Sequence, residues 1–202
     1  MRRTKEEALE TRKAILKTAL DCFSKRGYAL TTFTDIAKRI KLSKGAVFWH
    51  FKTKEDLLAE LIVQECRTYD PLHKLDDATT VAEVKAAFMD WAQALAKHRE
   101  LRQFMIFAVS RIEWSEALKK TLAEKLEGLL TGDPWQRLAA CLARLRAAGK
   151  IESPLSDEQL VVLLRVTFIG SQREVWLNQA KVDILATVEA GLSLILNQIE
   201  CL

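Results

Sequence analysis

Apolar positions recur at three- and four-residue spacing along most of the chain, the period of a helix that buries one stripe. In the first such segment Ile15, Leu16, Ala19, Leu20 and Phe23 share one face of a helix expected over residues 5–25, and Gly27 ends it as a C-cap. No apolar–polar alternation is long enough to make a convincing strand, so the pattern predicts an all-α protein. Polar caps then divide the chain finely. Thr31-Thr32-Phe33-Thr34 leads into a short helix through Ile36, Ala37 and Ile40, and Ser43 N-caps a third helix over 44–50. Thr53 caps a fourth, whose Glu55 and Asp56 stand in the first turn, where the helix dipole favours acids.

Beyond residue 75 the helices lengthen. Thr79-Thr80 opens one carrying Val84, Phe88, Trp91 and Leu95, and two more are expected over 101–112 and 115–130. Thr131-Gly132-Asp133-Pro134 is the sharpest break, since Gly ends helices and Pro suits the first position of the next. That next helix closes at Ala147-Ala148-Gly149-Lys150. A long one runs from Ser156-Asp157 to about Gln179, and a last one spans 182–199. There is no internal repeat and no low-complexity segment.

Composition narrows the class. With 49% hydrophobic and 29% charged residues in 202, the chain has the balance of a folded globular protein. Its most apolar stretch, 160–170, is interrupted by Arg165 and falls short of the ~20 apolar residues that cross a bilayer, so no membrane partner is expected. The start, Met1 to Glu7, lacks an apolar leader, which predicts a cytoplasmic protein. Cys22, Cys66, Cys141 and Cys201 have no metal-ligand spacing, and His50, His73 and His98 fall near none of them. The cysteines are expected to be reduced, and neither metal nor cofactor is predicted. A Gly-rich phosphate loop, a nucleophile beside a base and a spaced carboxylate pair are all missing from the sequence, which argues against an enzyme.

Charge adds direction. The net +4 hides an asymmetry: residues 1–55 hold 14 Lys and Arg against 6 Asp and Glu, whereas the remainder holds 17 against 21. A basic block of this kind suits a polyanion, because Lys and Arg near phosphates release condensed counterions. It coincides with the two short helices around residues 33–50. Two such helices joined by a tight turn form a helix-turn-helix, the second lying in the major groove of DNA and the first steadying it. Ile36, Ala37, Ile40, Leu42, Val47 and Phe51 would form the buried wedge, leaving Ser43, Lys44, Gly45, Ala46, Trp49 and His50 to face outward.

The strings Thr31-Thr32-Phe33-Thr34-Asp35-Ile36-Ala37 and Leu42-Ser43-Lys44-Gly45-Ala46-Val47-Phe48-Trp49-His50-Phe51-Lys52-Thr53-Lys54-Glu55-Asp56-Leu57-Leu58 resemble the signature of TetR-family repressors. Within that family the chain is most similar to the AcrR-like branch of multidrug efflux repressors. The resemblance is dense over the first 60 residues; beyond them it reduces to helical layout and the tract Phe168-Ile169-Gly170-Ser171 with Trp176-Leu177. It implies an N-terminal three-helix DNA-binding domain over 1–55 and a helical ligand-binding and dimerisation domain over 56–202. It further implies that Thr32, at the start of the second helix, and Lys54 hold phosphates, that Ser43, Lys44, Gly45 and Ala46 approach base edges, and that Trp49 and His50 lie against the DNA backbone, with Thr31 and Phe48 also among the DNA-binding residues. Two positions depart from the family pattern. Phe48 replaces the usual Tyr and its hydroxyl, and Ile40-Lys41-Leu42 replaces Ala-Gly-Val at the turn. In a left-handed conformation Lys41 would carry a strain of about 1 kcal/mol or more.

A regulator needs a second site whose occupancy favours one state of the head. Phe88, Trp91, Phe104, Phe107, Trp114, Trp135 and Phe168, with Arg111 and Gln172 as polar handles, could line a cavity for a small apolar or amphipathic inducer. Aromatics at helical spacing describe an ordinary core equally well. Leu185, Val188, Leu192, Ile195 and Ile199 alternate three- and four-residue steps, the seam of a helix packed lengthwise on another. With Val162, Val166, Ile169 and Gly170 they suggest a four-helix homodimer interface, and internal core is the other reading. The functional expectation is a ligand-released repressor of palindromic double-stranded DNA, with efflux genes as candidate targets. A helical interaction protein with a degenerate head, and an activator on the same fold, are the alternatives.

Overall fold

The structure, a computed structural model, describes residues 5–70, 72–127, 133–177 and 179–200, apart from the side chains at 67 and 68. The expected end of a helix at Leu130, the Thr131-Gly132 break and Cys201 lie outside the described residues. The described chain is all-α and packs as two compact units, one of residues 1–68 with 100–130 and the other of 69–99 with 131–202.

In the first unit, α1 (Lys5–Arg26), α2 (Phe33–Arg39), α3 (Lys44–His50) and α4 (Lys54–Thr68) follow one another, and α6 (Arg99–Ser110) and α7 (Glu116–Leu126) complete it. The ends of these helices follow their caps. Gly27 takes a φ of +88 and its N–H donates to the Phe23 carbonyl at 2.8 Å, closing α1. Thr32 and Asp35 form a reciprocal capping box on α2, Ser43 caps α3 through the Ala46 N–H, and Thr53 and Asp56 do for α4 what Thr32 and Asp35 do for α2. The core these helices share runs from Ile15, Leu16 and Phe23 of α1 through Ile36, Val47 and Phe51 to Leu57, Leu58 and Leu61 of α4. Phe104 and Phe107 of α6 join it, Phe107 stacked on Phe23 with ring centroids 5.4 Å apart. The packing around α1–α3 does not stop at the expected boundary after residue 55 and continues through α4, α6 and α7.

The second unit contains a 3-10 turn (His73–Asp76), α5 (Val81–Lys97), α8 (Pro134–Ala147), α9 (Asp157–Trp176) and α10 (Ile184–Leu196). Asp133 and Pro134 open α8 as N-cap and first helical residue. Arg144 of α8 holds the 3-10 turn through the carbonyls of Leu75 and Asp76, and Arg146 holds the 148–156 connection through Asp157 and the carbonyls of Ser153 and Leu155. α10 packs on α9 and α5, and this changes the expected seam. Val188 and Leu192 are fully buried and Ile199 is nearly so within the chain, while Leu185 and Ile195 are half-buried. The apolar stripe of α10 is thus largely covered by its own chain. The exposed line on α10 runs instead through Thr187, Ala190 and Leu194.

α9 and α10 approach closely at Gly191, where an added Cβ would lie 2.6 Å from Cγ2 of Thr167. Gly191→Ala is expected to destabilise the protein by about 1–3 kcal/mol through overpacking. Adding Thr167→Ser, which deletes the opposing methyl, should recover most of that loss in urea unfolding. A double variant no more stable than Gly191→Ala would contradict the contact.

Candidate nucleic-acid interface

The interface is built around α3, which is too short to be stable alone and is held from three sides. Val47 is fully buried and Phe51, at its C-cap, is 1% exposed, so its inner face is anchored in the core. The turn before it is a Schellman motif: the Leu42 N–H donates to the Ala37 carbonyl at 2.9 Å and the Lys41 N–H to the Lys38 carbonyl at 3.3 Å. Lys41 occupies the left-handed position with a φ of +56. The same motif ends α8, where the Lys150 N–H reaches the Leu145 carbonyl and the left-handed position is taken by Gly149, φ +69. Lys41 therefore bears the Cβ strain that its counterpart avoids.

The third hold is one that sequence reasoning missed. Arg12 of α1 makes a fork onto the Glu60 carboxylate of α4, with Nε donating at 2.6 Å and Nη2 to the other oxygen. Its Nη1 donates to the His50 carbonyl at the end of α3 at 2.6 Å, and its guanidinium lies 4.2 Å from the centroid of the Phe51 ring. One planar cation joins α1, α3 and α4 and satisfies a carbonyl that the helix leaves open. A sequence signal was present, because Arg12 stands three, four and seven residues before Ile15, Leu16 and Ala19, in line with the buried stripe.

Of the expected contact residues, Thr32, Ser43, Lys44, Gly45, Phe48 and Trp49 are exposed and Ala46 and His50 half-exposed, all on α2–α3. Trp49 is 67% exposed and Phe48 48%, an unusual display of large apolar surface on a basic element. Phe48 rests edge-on against Phe33, and Lys52 sets its ammonium 5.1 Å from the Phe48 ring. Trp49 meets the His50 ring edge-on at 4.7 Å. Thr32 keeps its hydroxyl in the capping box, donating to Asp35 at 2.6 Å; that bond, the Thr32 N–H and the Arg26 guanidinium hold the pKa of the Asp35 carboxyl down at about 2.

Thr31 requires a correction. It is fully buried and its hydroxyl donates to the Gly27 carbonyl at 2.8 Å, so it secures the end of α1 and presents nothing to a ligand. Lys54 is shared differently. Its ammonium donates to the carbonyls of Tyr28 and Ala29 at 2.9 and 3.1 Å and lies 4.5 Å from the Tyr28 ring, and burial pulls its pKa down. An ammonium has three donors, so among the described residues one remains for a phosphate.

The nine aromatic and polar residues expected around a cavity divide between the units. Phe104 and Phe107 belong to the core of the first, Arg111 is exposed there, and Trp114 is 42% exposed with its indole N–H donated to the Ala108 carbonyl. The second unit brings Phe88, Trp91, Trp135 and Phe168 into one cluster, with Gln172 buried one turn beyond Phe168. Among the described residues no group of His, Cys, Asp or Glu could hold a metal ion, and no helix is long and apolar enough to cross a membrane.

Comparison with known proteins agrees with this geometry. The sequence profile of the bacterial regulatory proteins of the tetR family matches residues 15–61. The HTH-type transcriptional regulator TtgR of Pseudomonas putida is 28% identical over 193 residues, which cover 94% of this chain and 91% of that protein. The HTH-type transcriptional regulator AcrR of Shigella flexneri is 48% identical over 60 residues, 30% of this chain and 28% of that protein. Among solved structures, NalD, the secondary repressor of the MexAB-OprM multidrug efflux pump in Pseudomonas aeruginosa, has the same fold with a TM-score of 0.76 at 19% identity, covering 97% of this chain and 98% of that one. A SmeT–triclosan complex matches with a TM-score of 0.77 at 22% identity, covering 95% and 92%.

Lys41→Gly should raise stability by about 1 kcal/mol, read as a higher urea midpoint at unchanged m. Arg12→Ala should cost about 2 kcal/mol, the scale of hydrogen bonds to a charged group, and weaken DNA binding at least about tenfold although the residue faces inward. A variant that unfolds earlier yet binds DNA as before would separate Arg12 from the interface.

Proposed function

We propose that this chain, whose residues 15–61 match the tetR family of bacterial regulatory proteins, is a transcriptional repressor that grips palindromic double-stranded DNA as a homodimer and lets go when a small molecule binds its second unit. The observation that carries the reading is the outer face of α3. Ser43, Lys44, Gly45, Phe48 and Trp49 stand exposed on a helix whose inner face is locked, in the part of the chain that holds the positive charge. A seven-residue helix, about 10 Å long, fits a major groove about 12 Å wide. Gly45 and Ala46 let the backbone approach base edges, Lys44 supplies a donor for them, and Lys54 sets register on a phosphate.

Dimerisation is supported by α9. Val162, Val166 and Leu163 are 45%, 61% and 42% exposed, Ile169 is half-buried, and a Cβ placed on Gly170 would meet nothing within 4 Å. With Leu194 of α10, 75% exposed, they form an apolar strip on two helices, the material of a four-helix interface. Two-fold symmetry then places half-sites about one helical turn of DNA, or a multiple, apart. The naming of NalD as a repressor of a multidrug efflux pump supports an operator near efflux genes, and the triclosan complex of SmeT supports a small-molecule inducer. The protein acts in the cytoplasm, where its operator is.

A gel-shift titration over several salt concentrations tests the reading: affinity should fall steeply with salt and favour one palindrome over random duplex by at least about a thousandfold. Binding without sequence preference would favour a degenerate head. Lys44→Ala should relax base preference, whereas Lys54→Ala should weaken all duplexes alike and lower stability as its two carbonyl contacts are lost. Val166→Glu should shift the protein from dimer to monomer in sedimentation and abolish operator binding at nanomolar protein.

A further inference from the structure

The first unit holds a groove that DNA binding as read above leaves unused. It opens at the C-terminal end of α3, between α1, α4 and α7, and has a volume of about 710 Å³. That is within the range of sites that enclose small organic molecules. Its floor is apolar, made by Phe51, Ala59 and Val63, which are 1%, 6% and 8% exposed. Arg12, Lys52 and Lys125 also line it, with Asp56 and Glu60 as its carboxylates. Both carboxylates are already matched, because Arg12 forks onto Glu60 and the Lys125 ammonium donates to Asp56 at 2.5 Å. The charge left over is positive. Lys52 is exposed, and among the described residues its one charge or ring contact is the Phe48 ring, 5.1 Å away. A guanidinium has five N–H donors, and Arg12 commits three of them among the described residues: Nε and Nη2 to Glu60, Nη1 to the His50 carbonyl. One donor on each terminal nitrogen remains for an incoming oxygen.

We infer that this groove is an effector site for a small organic anion, a carboxylate on an apolar body, held by Lys52 and Arg12 at the end of α3. The site is distinct from the small-molecule site proposed for the second unit, and only its effect on DNA rests on the repressor reading. The groove selects this chemistry in three ways. A carboxylate takes hydrogen bonds from an ammonium and a guanidinium at once, and such charge-assisted bonds are the strong ones. A cation would have to displace Arg12 from Glu60 or Lys125 from Asp56, since among the described residues no other carboxylate lines the groove. An inorganic ion would leave the floor wet, whereas an aryl or alkyl body covers it. The effect on the head follows from charge. Lys52 stands two residues beyond the end of α3, and an anion bound to it cancels part of the positive field that draws DNA to this face.

Three probes of similar outline separate these contributions: 2-naphthoate, neutral 2-naphthamide and the 2-naphthylmethylammonium cation, each titrated into the full chain by calorimetry. 2-Naphthoate should bind at least about tenfold more tightly than either of the others, the scale of a hydrogen bond to a charged group. Lys52→Gln should weaken 2-naphthoate by about tenfold and Lys52→Arg should retain it. Lys38→Gln, which removes the same charge from the exposed side of α2, should leave its binding unchanged. In gel shifts, saturating 2-naphthoate should lower operator affinity about fivefold or more for the unaltered chain, and by less than about twofold for Lys52→Gln. Failure of 2-naphthoate to bind, equal binding of the amide, or tighter binding of the cation overturns the inference. So does a loss in Lys38→Gln as large as in Lys52→Gln, which would make the attraction diffuse. If Lys52→Gln weakens every duplex alike while 2-naphthoate binds as before, Lys52 is a phosphate contact and the site is overturned. Operator affinity unchanged by bound 2-naphthoate overturns the effector role. If the chain prefers no DNA sequence, the repressor reading falls, and calorimetry still decides the groove.

Discussion

A seven-residue helix cannot support itself in water, because nucleation costs more than so few hydrogen bonds return, so α3 keeps its shape only through what grips it. Val47 and Phe51 sink into the core, Ser43 closes the first turn, and the Arg12 guanidinium takes the carbonyl at the far end while holding Glu60 of α4. The remaining features of the first unit serve that grip. Phe23 and Phe107 stack to keep α1 in place, Thr31 and Lys54 tie down the carbonyls between α1 and α2, and the Lys125–Asp56 pair joins α7 to the start of α4. The outer face of α3 stays exposed while its inner face is committed to the core.

The second unit is built on other terms. Its helices meet through aromatic rings and one very close crossing at Gly191, and its single buried amide is left without a partner among the described residues. In the first unit Lys41 carries a left-handed strain that a glycine would relax, and its positive charge stands just before α3.

Much of the head was legible from sequence because its determinants are local. Caps at Thr32, Ser43 and Thr53 act within three residues, and the helices begin where those residues stand. The left-handed strain anticipated at Lys41 is present for the same reason. What was hidden depended on partners distant in sequence. Arg12 meets residues 38 and 48 positions away, and no spacing rule announces that. The apolar stripe of α10 was visible as a period, but a period does not say whose surface it meets; Val188 and Leu192 turn inward onto α5 and α9 of their own chain. Thr31 and Thr32 look alike in sequence, and one is buried while the other is exposed because the chain turns between them.

The fork at Arg12 bears on how genetics would describe this protein. A selection for lost repression is usually read as a map of the surface that touches the operator. Under the proposed function, alleles at Arg12, Glu60 and Phe51 would score beside those at Lys44, although the first three lie behind the exposed face of α3. The two groups part under suppression. Overexpression or added stabilising substitutions would restore a scaffold allele, whereas a lost base contact answers only to a changed operator.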